Sequence, residues 1–122
     1  FIFEDNQAEP YEHFPADLFP RNSLTGIYIH HNGHKFFYSR NKLIGISPEH
    51  INRTIPLTPG MQINFVKYID KRIAVGTNSG LFYLQNQSLK PWNSLPDRIK
   101  NVTDFVVDKN GNSWIGNNIG LY

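Results

Sequence analysis

The chain has 122 residues, few enough for one domain, with 18% charged and 14% aromatic side chains and a net charge of +2. That small charge, with no basic run, argues against a nucleic-acid binder. The absence of cysteine excludes a disulfide framework and thiolate chemistry without fixing the compartment.

No stretch approaches the roughly 20 apolar residues of a membrane span, so no direct membrane insertion is expected. No secretory leader is visible and Phe1 opens the chain, as expected of an internal piece or a mature form. Helices are not expected either. No segment sustains apolar residues at i, i+3, i+4 and i+7 over three turns, and prolines recur along the chain. Abundant glycine, proline and asparagine suit short strands joined by tight turns.

In chain order, residues 1–5 read as a strand and Glu9-Pro10-Tyr11 as the end of a second. Leu24, Ile27 and Ile29, at i, i+3 and i+5, open a new unit. The turn His30-His31-Asn32-Gly33 follows, then a strand at Phe36-Phe37-Tyr38, a third over residues 43–47, and a looser fourth near residues 54–57. Asn-Gly favours a two-residue hairpin, because both positions tolerate positive φ.

Ile63, Val66 and Tyr68 repeat the same spacing. Their turn at Asp70-Lys71-Arg72 is shorter and lacks glycine, which predicts a different, tighter turn. Ile73-Ala74-Val75 form the next strand, residues 81–85 the third, and residues 89–92 the fourth.

Val102, Phe105 and Val107 open a third unit, with a turn at Asp108-Lys109-Asn110-Gly111 and a strand at Ser113-Trp114-Ile115. Gly76, Gly80 and Leu81 of the second unit recur as Gly116, Gly120 and Leu121 of the third, 40 residues on (116 − 76). The recurring glycines are expected to turn the backbone with positive φ. In the first unit Tyr38 and Lys42 stand in their places, and Leu43 matches Leu81. The N-terminus fits the same scheme: Pro10 corresponds to Pro91 at an offset of 81 (91 − 10).

Self-similarity at this period predicts a β-propeller of four-stranded antiparallel blades. The chain divides into residues 1–22 (the second half of a blade plus a connection), 23–60 (a blade), 61–99 (a blade) and 100–122 (the first half of a blade). That makes a partial propeller of about three blades, two whole and two half.

Rings close with roughly four to eight blades, so three leave two open faces. If each face carries about 500 Å² of apolar surface, at about 25 cal/mol/Å², leaving it wet forfeits on the order of 12 kcal/mol. The expected partners are therefore the remaining blades of the same propeller, or a second copy joined head to tail.

The run 102–122 resembles the two-component regulator propeller repeat: an apolar strand, Asp-x-x-Gly-x-(apolar)-Trp-(apolar)-Gly-Thr, a short gap and Gly-Leu. Asp108, Gly111, Trp114, Ile115, Gly116, Gly120 and Leu121 match, and Asn117 stands where Thr is usual. The second unit supplies Thr77, Gly80 and Leu81 but has Ala74 in the Trp place. The first unit has Phe36 there.

The resemblance implies the periplasmic sensor region of a bacterial hybrid two-component system, responding to carbohydrate. Kinase activity would lie in other domains, outside this sequence. An oligosaccharide is the implied ligand, met by the loops between the second and third strands and between consecutive blades. Two other readings stand beside it. One is a structural protein–protein interaction module. The other is a propeller-type lyase or glycoside hydrolase, which would need two convergent carboxylates.

No catalytic, cofactor or metal residues are assigned. Trp114 is expected to pack between blades, and Trp92 to pack rather than bind. His30, His31 and His34 read as a polar turn rather than a zinc site, which would need imidazoles converging at about 2 Å. Asp108 is expected to bond turn amides. Asn52, Asn86 and Asn101 open glycosylation-like triplets, read as coincidence given the bacterial resemblance.

Overall fold

A computed structural model describes residues 2–4, 7–9, 11–20, 23–92, 100–117 and 120–121. Among them the protein is all-β and without α-helix, with a single 3-10 turn at Ala16–Leu18. No helix there is long and apolar enough to cross a membrane.

The N-terminal hairpin pairs β1 (Ile2–Glu4) with β2 (Gln7–Glu9). The first sheet is an antiparallel meander of β3 (Gly26–Ile29), β4 (Lys35–Tyr38), β5 (Leu43–Ile46) and β6 (Asn52–Thr54). The second repeats it with β7 (Ile63–Ile69), β8 (Arg72–Thr77), β9 (Gly80–Gln85) and β10 (Ser88–Pro91). The third holds β11 (Val102–Val107), β12 (Ser113–Asn117) and β13 (Gly120–Leu121). All sheets are open.

The hairpins at offset 81 share one register. Gln7, Ala8 and Glu9 pair with Glu4, Phe3 and Ile2. Ser88, Leu89 and Lys90 pair with Gln85, Leu84 and Tyr83.

The sheets stack face to face. Phe36, Leu43 and Ile55 of the first sheet meet Ile63, Val66 and Val75 of the second. From the opposite face of the second, Phe65, Ala74 and Leu81 meet Val102, Phe105 and Ile115 of the third. Phe37, Ile44 and Ile46, on the outer face of the first sheet, pack against Phe19, Phe14 and Tyr11.

The i, i+3 start of the second and third apolar trios has a structural cause. Register shifts between Ile63 and Phe65, and between Val102 and Asp104, mark β-bulges. One extra residue there puts Ile63 and Val66 on a single face, where a regular strand would separate them. The polar ties between sheets also repeat. Ile63 donates its amide to Arg40 O at 2.7 Å, and Asn101 donates to Asn78 O at 2.9 Å. Arg40 and Asn78 occupy equivalent turns, 38 residues apart (78 − 40).

The glycine-free turn is the tighter one, as expected: Asp70 and Lys71 form a two-residue turn, both with positive φ (52° and 64°). Other local expectations change. The Asn-Gly turns are a residue longer. His30 bonds His34 and Asp108 bonds Asn112 across them, with positive φ at Gly33 and Gly111. This is a type I turn closed by a left-handed glycine.

The fourth strand of the first sheet is Asn52–Thr54, earlier than residues 54–57. Gly80 does take a positive φ of 127°. Gly76 and Gly116 do not; at Gly76 a Cβ would run into the Phe65 ring.

Candidate binding groove and open faces

A groove of about 420 Å³ lies between the first and second sheets, at the end carrying the turns of strands one to two and three to four. Its floor is apolar: Phe36 and Ile55 from one wall, Ile73 and Leu84 from the other. Gly45 sits on the same wall, paired with Phe36 and Arg53, and leaves the space open. A Cβ on Gly45 would stand 3.3 Å from the Phe36 ring.

The rim is polar and planar, with His34, Glu49, Arg53, Asn86 and Gln87. Asn86 and Gln87 form a tight turn with positive φ (50° and 67°), which holds both at the groove edge. The volume is that of a small-molecule site, about 300–1,000 Å³, and so is the pattern of an apolar floor with a few polar groups.

The histidines make a ring cluster. His30 Nδ1 lies 2.8 Å from Tyr28 Oη, and the His30 ring packs on His31 (4.0 Å) and edge-on to Tyr68 (4.9 Å). Burial first, then the charges of His31 and His34, hold the His30 pKa below its ordinary value. His34 Nδ1 instead meets Asn32 Oδ1 at 3.1 Å. Among the described residues no three His, Cys, Asp or Glu side chains converge as a metal site.

Asp108 bonds the turn amides of Asn110 and Asn112 at 2.9 Å each, and also accepts from Trp114 Nε1 at 3.0 Å. Trp92 packs edge-on against Phe105 at 5.2 Å, with the Arg72 guanidinium 5.1 Å from its ring centre. Asp104 accepts from Lys67 of the neighbouring sheet. The bond from Lys67 is the main cause of its lowered pKa.

Leu81 is buried at the second interface, beside Ala74. Gly120 and Leu121 lie in β13. Trp114, expected between sheets, is 47% exposed. It pairs with Val106, on the face of the third sheet turned away from the second.

Of the seven exposed large apolar side chains among the described residues, five lie on two faces, while Ile51 lines the groove and Tyr68 sits against His30 and His31. On the outer face of the third sheet are Val106 (50%) and Trp114. On the outer side of the first are Ile27 (54%), Ile29 (61%) and, next to them, Leu24. Leu24, Ile27 and Trp114 stand at repeat positions that are buried where a neighbouring sheet covers them, whereas Tyr68, at the position of Ile29, stays 44% exposed beside the first sheet. Ile63 and Val66, Val102 and Phe105 correspond to Leu24 and Ile27; Phe36 and Ala74 correspond to Trp114. Sequence reasoning reached the open faces but missed the groove. Its one signal was Gly45 inside a strand, which marks a close approach of neighbouring groups.

No family model, curated protein or solved structure matches the chain.

Proposed function

We propose that the chain is a segment of a β-propeller that serves as the periplasmic, carbohydrate-responsive part of a hybrid two-component sensor, with no catalysis of its own. The stacked four-stranded meanders support the propeller, and the motif at Asp108, Gly111 and Trp114 supports the family. The groove carries the ligand reading. A sugar ring offers C–H surface to an apolar floor and hydroxyls to planar amide, carboxylate and guanidinium groups, which is the chemistry of this floor and rim.

The groove opens opposite the loops first expected to hold ligand, those between strands two and three and between blades. Glu49 is the one carboxylate among its described lining residues, which suits binding rather than hydrolysis. Occupancy would tie the two sheets together and bias one arrangement of the sensor over another, the shift that a downstream kinase reads.

Calorimetric titration with xylotriose, maltotriose and arabinotriose tests this. Heat of binding to one of them, weakened at least tenfold by Arg53→Ala, is expected. No heat from any of them at millimolar concentration removes the sensor reading. The exposed apolar faces would then favour the second reading, a structural interaction module.

A further inference from the structure

We propose that the two open faces dock on each other between copies of this chain. The outer face of the third sheet in one copy, with Val106 and Trp114, would receive Ile27 and Ile29 of a second copy. The inference rests on sheet stacking alone and not on any ligand.

The interface is already built twice within the molecule. In each instance the opening strand of one sheet lays the first two members of its apolar trio on the second and third strands of the sheet before it. Ile63 and Val66 lie on Phe36 and Leu43, and Val102 and Phe105 lie on Ala74 and Leu81. The two exposed patches are the two halves of that same contact: Phe14 and Phe19 cover the second and third strands of the first sheet and leave its opening strand exposed. The third sheet presents its second-strand Trp114, equivalent to Phe36 and Ala74. The first sheet presents Leu24 and Ile27, equivalent to Ile63 and Val66, with exposed Ile29 beside them.

A second copy therefore carries the complement of each face, in the orientation the fold already uses. It also brings the β1–β2 hairpin, which has the register of the outer pair β9–β10. Such a contact is heterologous: two different patches meet, and neither meets itself.

That property gives the test. One variant, Ile27→Lys with Ile29→Lys, breaks the first face. Another, Val106→Lys with Trp114→Glu, breaks the second. All four side chains are about half exposed, so each variant should keep the parent's circular dichroism, while Trp114→Phe should assemble like the parent. By sedimentation velocity across micromolar concentrations, the parent chain should be a dimer or a larger ring and each broken variant a monomer.

Mixing the two broken variants should restore a one-to-one dimer, because each retains the face that the other lacks. A parent that stays monomeric throughout overturns the proposal. So do variants that still assemble alone, or a mixture that stays monomeric. Sugar titration reads none of these masses, so failure of the ligand reading would be recognised separately.

Discussion

Trp114 Nε1 donates to Asp108 Oδ2 at 3.0 Å, tying the second strand of the third sheet back to the turn that opens it. This indole bond, with the amide of Asn112, holds the Asp108 carboxyl below its ordinary pKa, because each donor favours the ionised form. A depressed pKa in the folded state adds stability above the unfolded value of about 3.9, lost as pH falls through the folded value. The Asp108→Asn variant should therefore lose less stability than the parent on acidification from about pH 5 to about pH 2. Thermal melts across that range check it, and parallel Tm profiles would refute it.

The Phe65 ring fills the space beside Gly76, and the two pair across β7 and β8. Gly76→Ala must move a ring that is packed among Ala74, Leu81 and Val102. Overpacking of this kind costs about 1–3 kcal/mol. At Gly116 the nearest atom to an added Cβ is Thr103 Oγ1 at 3.5 Å, an ordinary contact. Gly116→Ala should therefore cost well under half as much. Urea denaturation of both variants measures the difference. Combining Gly76→Ala with Phe65→Leu should recover part of the loss, a non-additivity expected of residues in contact.

This glycine shows where the sequence could be read and where it could not. The repeat made Gly76 visible as a fixed position, but not its reason, which lies in a ring from the neighbouring strand. The trios at Ile63 and Val102 predicted the opening strands because a bulge leaves an i, i+3 trace in the chain. The Asn-Gly turns misled, since that pair serves two hairpin types, whereas the missing glycine did mark the tighter turn, with its left-handed pair at Asp70 and Lys71. The groove was invisible because Phe36 and Leu84 come from separate repeats, and only stacking brings them together.

Asn64 bridges the second and third sheets, donating from Nδ2 to Val102 O at 2.8 Å and to Asn101 Oδ1 at 3.2 Å. Its place at the β7 bulge lets a polar side chain reach the next sheet beside buried Val102. Asn64→Ala should lower stability by about 1–2 kcal/mol, the cost of removing a partly buried hydrogen-bonded amide. Hydrogen exchange should quicken first in β11 and β12, which depend on the tie, and less in β3 to β6. Uniform acceleration across all sheets would mean that the bond does not couple these two in particular.

His30 should make the first sheet's edge sensitive to mild acid. Burial and the neighbouring His31 and His34 depress its pKa, so the unfolded chain binds this proton more readily than the folded one. Stability linked to His30 is whole above the ordinary imidazole value of about 6.5 and is lost as pH falls through the lower folded value. Other histidines titrate in the same range, so the readout is the difference between the parent and His30→Gln. The variant sits lower at neutral pH if the Tyr28 and Tyr68 contacts matter, but its Tm should fall less between about pH 7 and about pH 5. Equal slopes would mean that His30 charges as freely in the fold as out of it, and the ring cluster would then be a packing feature without electrostatic consequence.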